Sequence, residues 1–86
     1  MTLFEQYDAA KAECPNAICI IRAGDFYEAI GDDAATIAAC LGLTLTEKGG
    51  RALAGFPYHQ LSAYLGKLVK ERHRVAVCDY AQENAS

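Results

Sequence analysis

Positive charge is scarce in this chain. Its 86 residues carry eight Lys and Arg against eleven Asp and Glu, a formal net charge of −3. Affinity for nucleic acid of any sequence comes mainly from Lys and Arg neutralising phosphates. An isolated domain of this kind is therefore expected to hold DNA weakly, whatever its specificity. No uninterrupted apolar run is long enough to cross a bilayer. The N-terminus reads as an amphipathic helix, not as a charged segment followed by an apolar one, so it is not a signal peptide, and a cytoplasmic location is the default expectation. None of the four cysteines (Cys14, Cys19, Cys40 and Cys78) forms a C-x-x-C pair. Cys19 and Cys78 lie in apolar strand-like runs and Cys40 on the apolar side of a helix. Reduced core thiols are expected, not a disulfide framework or a zinc site. No internal repeat, low-complexity segment or linker divides the chain. Residues 1–86 are read as one small domain of marginal stability, with a frayed tail over 82–86.

What is present is an ordinary folded composition, 52% hydrophobic and 22% charged, with mean hydropathy near zero. Thr2 and Glu5 have the spacing of a capping box. Leu3, Phe4, Tyr7 and Ala10 then give a helical apolar face, which Cys14-Pro15 ends. Ala17 to Ile21 is a continuous apolar run, suited to a strand covered on both faces. Gly24 permits a turn or bulge before Asp25 to Ile30, so these two segments form a hairpin or one bent strand. Gly31-Asp32-Asp33 opens a second helix, capped by Asp32 or Asp33. Ala34, Ile37, Ala38 and Leu41 share one face, and Gly42 is placed to end it. Leu43 to Glu47 alternates like an exposed strand, Lys48-Gly49-Gly50-Arg51 is a flexible basic turn, and Leu53 to Phe56 returns as a strand. After Pro57-Tyr58-His59, a third helix carries Leu61, Tyr64, Leu65, Leu68 and Val69 at i, i+3, i+4, i+7, i+8. Val75 to Cys78 is a last apolar strand. The class is α/β (α+β): a mixed β-sheet of about five strands flanked by three helices.

The most informative run is Arg22-Ala23-Gly24-Asp25-Phe26-Tyr27-Glu28. Side chains two residues apart on a strand share a face, so Phe26 and Glu28 project together and Tyr27 turns away. An apolar ring beside a hydrogen-bonding acid suits the probing of a weakened base stack. Further blocks keep the same order: Asp32-Asp33-Ala34, Leu43-Thr44-Leu45-Thr46, Ala54-Gly55-Phe56-Pro57-Tyr58-His59, Tyr64-Leu65-x-Lys67-Leu68-Val69 and Val75-Ala76-Val77-Cys78. Together, from Leu3 to about Gln82, they resemble domain I of the MutS family of DNA mismatch-recognition proteins.

The resemblance implies that Phe26 and Glu28 enter the minor groove at a mismatch. Its partner would then be double-stranded DNA with a mismatched or unpaired base, in a nucleoid-associated bacterial protein. Unstacking a normal base step costs about a few kcal/mol, and a mismatched base has already lost part of that energy. The ring thus selects by deformability. Glu28 faces a polyanion and can accept from an imino N–H, or donate to a purine N7 when protonated. Desolvation and nearby phosphates are expected to raise its pKa in a complex. The chain departs from the family in a shorter connection between Thr46 and Ala54, and in Ile21 where many members carry an aromatic. It has no G-x-x-x-x-G-K-[ST] loop, hence no ATPase and no expected cofactor. The family's ATP and Mg belong to domains outside it. An excised domain and a free-standing reader both fit.

Other candidates have two uses each. Arg22 suits a phosphate clamp or an ion pair with a neighbouring acid. Lys48 and Arg51, flanking two glycines, suit a loop touching phosphate or a solvated turn. Lys67, Lys70, Arg72 and Arg74 look like a basic patch, though charge runs at a helix end are usually a solvated face that suits the helix dipole. Asp25 is expected to bond backbone amides near Gly24, His59 to cap or pack, and His73 to be exposed. Asp25, Glu28, Asp32 and Asp33 also raise a metal-nuclease reading, though two of them are better explained by a helix start. A non-enzymatic alternative is an interaction module that keeps the fold with little DNA binding and docks onto other mismatch repair proteins.

Overall fold

The computed structural model describes residues 2–79; the tail expected at 82–86 lies outside them. The first helix, α1, is Leu3–Glu13. Its capping box is present: the Glu5 N–H donates to Thr2 Oγ1 at 3.1 Å and the Thr2 N–H donates to Glu5 Oε1 at 2.8 Å. Strands β1 (Ile18–Ala23) and β2 (Phe26–Ile30) form a hairpin, not one bent strand. Helix α2 is Gly31–Leu41, followed by β3 (Thr46–Lys48) and β4 (Arg51–Pro57). A single 3-10 turn, Tyr58–Gln60, leads into α3 (Leu61–Lys70), and β5 is Val75–Cys78.

The sheet order is β3-β4-β2-β1-β5, with β1 and β5 parallel and the other neighbours antiparallel. Strand alternation divides the core into two layers. Ile18, Ile20, Tyr27, Ala29, Ala54 and Phe56 point to one face, where Ala34, Ile37, Leu41 and Leu68 of α2 and α3 cover them. Cys19, Ile21 and Ile30 point to the other, under Tyr7 of α1 with Leu3, Phe4 and Ala10 beside it. The continuous apolar run of β1 follows from being covered on both sides.

Several expectations change. Neither aspartate caps α2: the N-cap position is Ile30, without a side-chain cap bond. Asp33 instead turns inward at 6% exposure. It accepts from the Tyr7 hydroxyl at 2.7 Å, the Cys19 N–H at 3.0 Å and Lys11 Nζ at 3.0 Å. A carboxylate in the first turn satisfies the helix dipole without capping, and a buried one needs this many partners. Burial, with the Asp33 carboxylate second, pushes the Tyr7 phenol far above the usual tyrosine range, so it stays a donor.

Leu43 to Leu45 is not strand. Gly42 adopts φ +71° and the Leu43 N–H closes the helix on Ala38 O at 2.9 Å, which consumes the start of that segment. The glycine turn is tight: Gly49 and Gly50 both have positive φ and join a register in which Lys48 faces Arg51, as a two-residue hairpin of the mirror-image type requires. His73 is half-buried, not exposed. All four cysteines are free, but Cys14, at the C-terminal cap of α1, is exposed and Cys40 and Cys78 are half-buried, so Cys19 alone of the four is a fully buried thiol.

Candidate nucleic-acid interface

The β1–β2 hairpin turns at Gly24-Asp25, where Gly24 takes φ +61° and leaves a non-glycine residue strained. Its register pairs Ala23 with Phe26, Arg22 with Tyr27 and Ile21 with Glu28. Tyr27 is buried on the α2/α3 face, its ring 6.0 Å from that of Phe56. Phe26 and Glu28 project from the α1 face. Phe26 is 45% exposed at the first position after the turn, and Glu28 is half-buried.

The half-burial of Glu28 has a local cause. Its partner across β2 and β4 is Gly55. A Cβ on Gly55 would stand 2.9 Å from Glu28 Cγ and 2.8 Å from Tyr27 O. The missing side chain is therefore the space in which Glu28 lies across the neighbouring strand, the usual meaning of a glycine inside a strand. Desolvation there raises the Glu28 pKa above its ordinary value, opposed by the positive charge of Lys48. The carboxyl is thus biased toward its protonated, hydrogen-donating form before any ligand arrives.

The basic candidates are not gathered around this pair. Arg22 lies on the opposite face of the hairpin, beside Tyr27. Its Nε donates to Gly24 O at 2.6 Å, and its guanidinium carbon stands 3.9 Å from the centre of the Tyr58 ring. Its partners here are a carbonyl and an aromatic ring, where an acid was one of the two expected. Arg51 is held by Asp8 in a two-pronged ion pair, 2.9 and 3.1 Å, with Phe4 under its guanidinium at 5.1 Å. Lys48 is exposed and borders a shallow apolar depression with Thr2, Leu3 and Phe4. Asp25 is exposed and lends its backbone carbonyl to the Tyr58 N–H at 2.8 Å. The ring of His59 meets that of Tyr58 edge-on at 6.0 Å. Among the described residues no three His, Cys, Asp or Glu side chains are gathered to hold a metal ion, and the carboxylate set is broken up by the inward turn of Asp33.

Two residues of the site carry roles the motif did not suggest. Gly55 and Tyr58 both fall in the block Ala54-Gly55-Phe56-Pro57-Tyr58-His59. An isolated glycine within a strand was the legible signal for the first. An aromatic directly after Pro57 was a weaker one for the second.

A family model described as MutS domain I matches residues 1–86. Among curated proteins, the chain is similar to the DNA mismatch repair protein MutS of Methanothrix thermoacetophila, 45% identical over 87 residues, covering 94% of this chain and 10% of that protein. It is similar to the protein of the same description from Flavobacterium psychrophilum, 46% identical over 86 residues, and from Thermotoga neapolitana, 43% identical over 81 residues, each covering 94% of this chain and 10% of the relative. The chain spans about a tenth of the length of the curated relatives it matches.

Proposed function

The chain belongs to the MutS domain I family, and on that premise we propose that it recognises mismatched or distorted duplex DNA within DNA mismatch repair, setting Phe26 into the minor groove while Glu28 tests the displaced base. The observation that carries this reading is the pairing of an exposed phenyl ring with a half-buried carboxyl on one face of one strand, at the tip of a hairpin. Phe26, 45% exposed, is left available by the fold, and a wedge for a base step requires such a ring. Glu28 adds selectivity. Burial favours its neutral form, and a protonated carboxyl can donate to a purine acceptor where an ionised one would only repel the phosphates. No chemical step is assigned to the chain on this reading: it binds. On this reading the protein works at the chromosome, in the cytoplasm.

The test is binding of the chain at low salt to G·T, unpaired-T and homoduplex DNA of one sequence. A preference for the first two is expected, and Phe26→Ala is expected to reduce it about tenfold or more, the equivalent of losing a kcal/mol or two of stacking. Equal affinity for all three duplexes, or a preference intact in Phe26→Ala, removes the reading.

One feature favours a second reading. Two of the three basic candidates, Arg22 and Arg51, already have partners inside the fold, and the net charge is negative. A domain so equipped could dock onto other mismatch repair proteins and contribute little DNA affinity of its own. Co-sedimentation with such proteins without measurable duplex binding at low salt selects this alternative.

A further inference from the structure

We propose that Tyr58 is a positioning residue for mismatch reading: from the junction of β4 and α3 it grips the Gly24-Asp25 turn by its main chain and its ring, so that Phe26 leaves the turn in one orientation. The inference rests on the reading of Phe26 given above and deepens it. Its first limb is a backbone bond. Pro57 faces Phe26 across β2 and β4 and has no N–H to give. Opposed pairs in an antiparallel ladder alternate between bonded and unbonded, so Pro57 sits where no N–H is needed, and the ladder runs on into the turn, where the Tyr58 N–H donates to Asp25 O at 2.8 Å. Its second limb runs through Arg22, whose Nε holds Gly24 O at 2.6 Å while its guanidinium lies 3.9 Å over the Tyr58 ring. A cation stacked this closely on an aromatic face is held in place. Both carbonyls of the turn are thus tied to one tyrosine, directly or through one arginine.

Tyr58 is 43% exposed, so it is not a core residue whose stacking on Arg22 is incidental to burial. Phe26 is the next residue after the two tied carbonyls. A wedge on a loose turn would lose conformational freedom on insertion, and a wedge on a fixed one has little left to lose. The clasp therefore favours insertion without touching the base.

The experiment compares Tyr58→Ala, Tyr58→Phe and Phe26→Ala for G·T against homoduplex binding, with backbone 15N order parameters of the free protein. Tyr58→Phe keeps the ring and is expected to match the parent in both measurements. Tyr58→Ala is expected to lower the mismatch preference about three- to tenfold, to lower the order parameters at Gly24 and Asp25, and to have no further effect on preference when Phe26 is already Ala. Unchanged order parameters in Tyr58→Ala overturn the grip of the ring, the limb that this substitution removes, and with it the positioning role of the side chain, whatever the DNA result. Preference lost in Phe26→Ala but intact in Tyr58→Ala overturns its role in reading and leaves the role of Phe26 standing. Preference intact in Phe26→Ala removes the role of Phe26 and with it the positioning role, while the order parameters still decide whether the ring of Tyr58 holds the turn.

Discussion

At the scale of single residues the informative quantity is the protonation of Glu28. Its carboxyl lies across Gly55, loses water there, and has a pKa raised above the ordinary value of 4.5, against the pull of Lys48. A group that binds its proton more tightly when folded makes folding harder as that proton is lost. The penalty is absent below the ordinary value and grows as pH rises through the raised one. Glu28→Gln removes the titration and keeps the shape. Melting temperatures of parent and Glu28→Gln should therefore converge near pH 4 and separate toward pH 7.5, with the variant the more stable. A difference independent of pH would show that the carboxyl is not desolvated in the folded chain. On the proposed reading, the same half-burial eases the placing of an acid before a polyanion, because desolvation favours the neutral form.

Among the elements, α1 is fixed on the sheet by its apolar face and, at one polar point, by the carboxylate of Asp33. It ties α1, through Tyr7 and Lys11, to the backbone of β1 at Cys19 and to the first turn of α2. Asp33→Ala leaves a buried N–H and a buried hydroxyl without their acceptor. It should cost about 3 kcal/mol in chemical denaturation, toward the lower end for a broken buried ion pair because Lys11 is a third exposed. Asp32→Ala, one residue earlier and exposed, should cost about 0.3–1 kcal/mol through the helix dipole alone. Equal costs for the two would mean that the buried network contributes nothing. The contrast also marks what was legible in the sequence. The capping box of α1, the doubly covered run of β1, the apolar stripe of α3 and the stop at Gly42 depend on residues close in sequence, and the chain spells them out. Which of two adjacent aspartates turns inward depends on Tyr7, 26 residues away. The stacking of Arg22 depends on Tyr58, in a different strand connection. The run Leu43 to Leu45 alternates like a strand and is still consumed in closing α2. Pattern alone reads a residue's face; it does not name a partner brought in from another element. Phe26 and Glu28 were legible because the period of a strand puts them on one face without outside help.

For the molecule as a whole, charge limits what the proposed wedge can do. With a net charge of −3, the long-range field does not attract a duplex, so affinity must come from local contacts, and Arg51 is the clearest reserve. It is half-buried, on the strand next to that of Glu28, and occupied by Asp8 in an ion pair of 2.9 and 3.1 Å. Exposed pairs of this kind exchange readily and add little to stability. Asp8→Asn takes the net charge from −3 to −2 and leaves the guanidinium without its carboxylate. If Arg51 reaches a phosphate when the wedge is seated, the variant should bind G·T duplex and homoduplex more tightly by a similar factor, about two- to fivefold at low salt, and the slope of log affinity against log salt should steepen by up to about one. The ratio between the two duplexes should stay the same, because a phosphate contact orients the protein and carries no information about the base. Tighter binding confined to the mismatched duplex would place Arg51 at the base step and not on the backbone. An unchanged salt slope would show that Arg51 stays clear of the DNA, leaving Lys48 as the basic candidate on this side of the sheet that no ion pair with an acid among the described residues holds back.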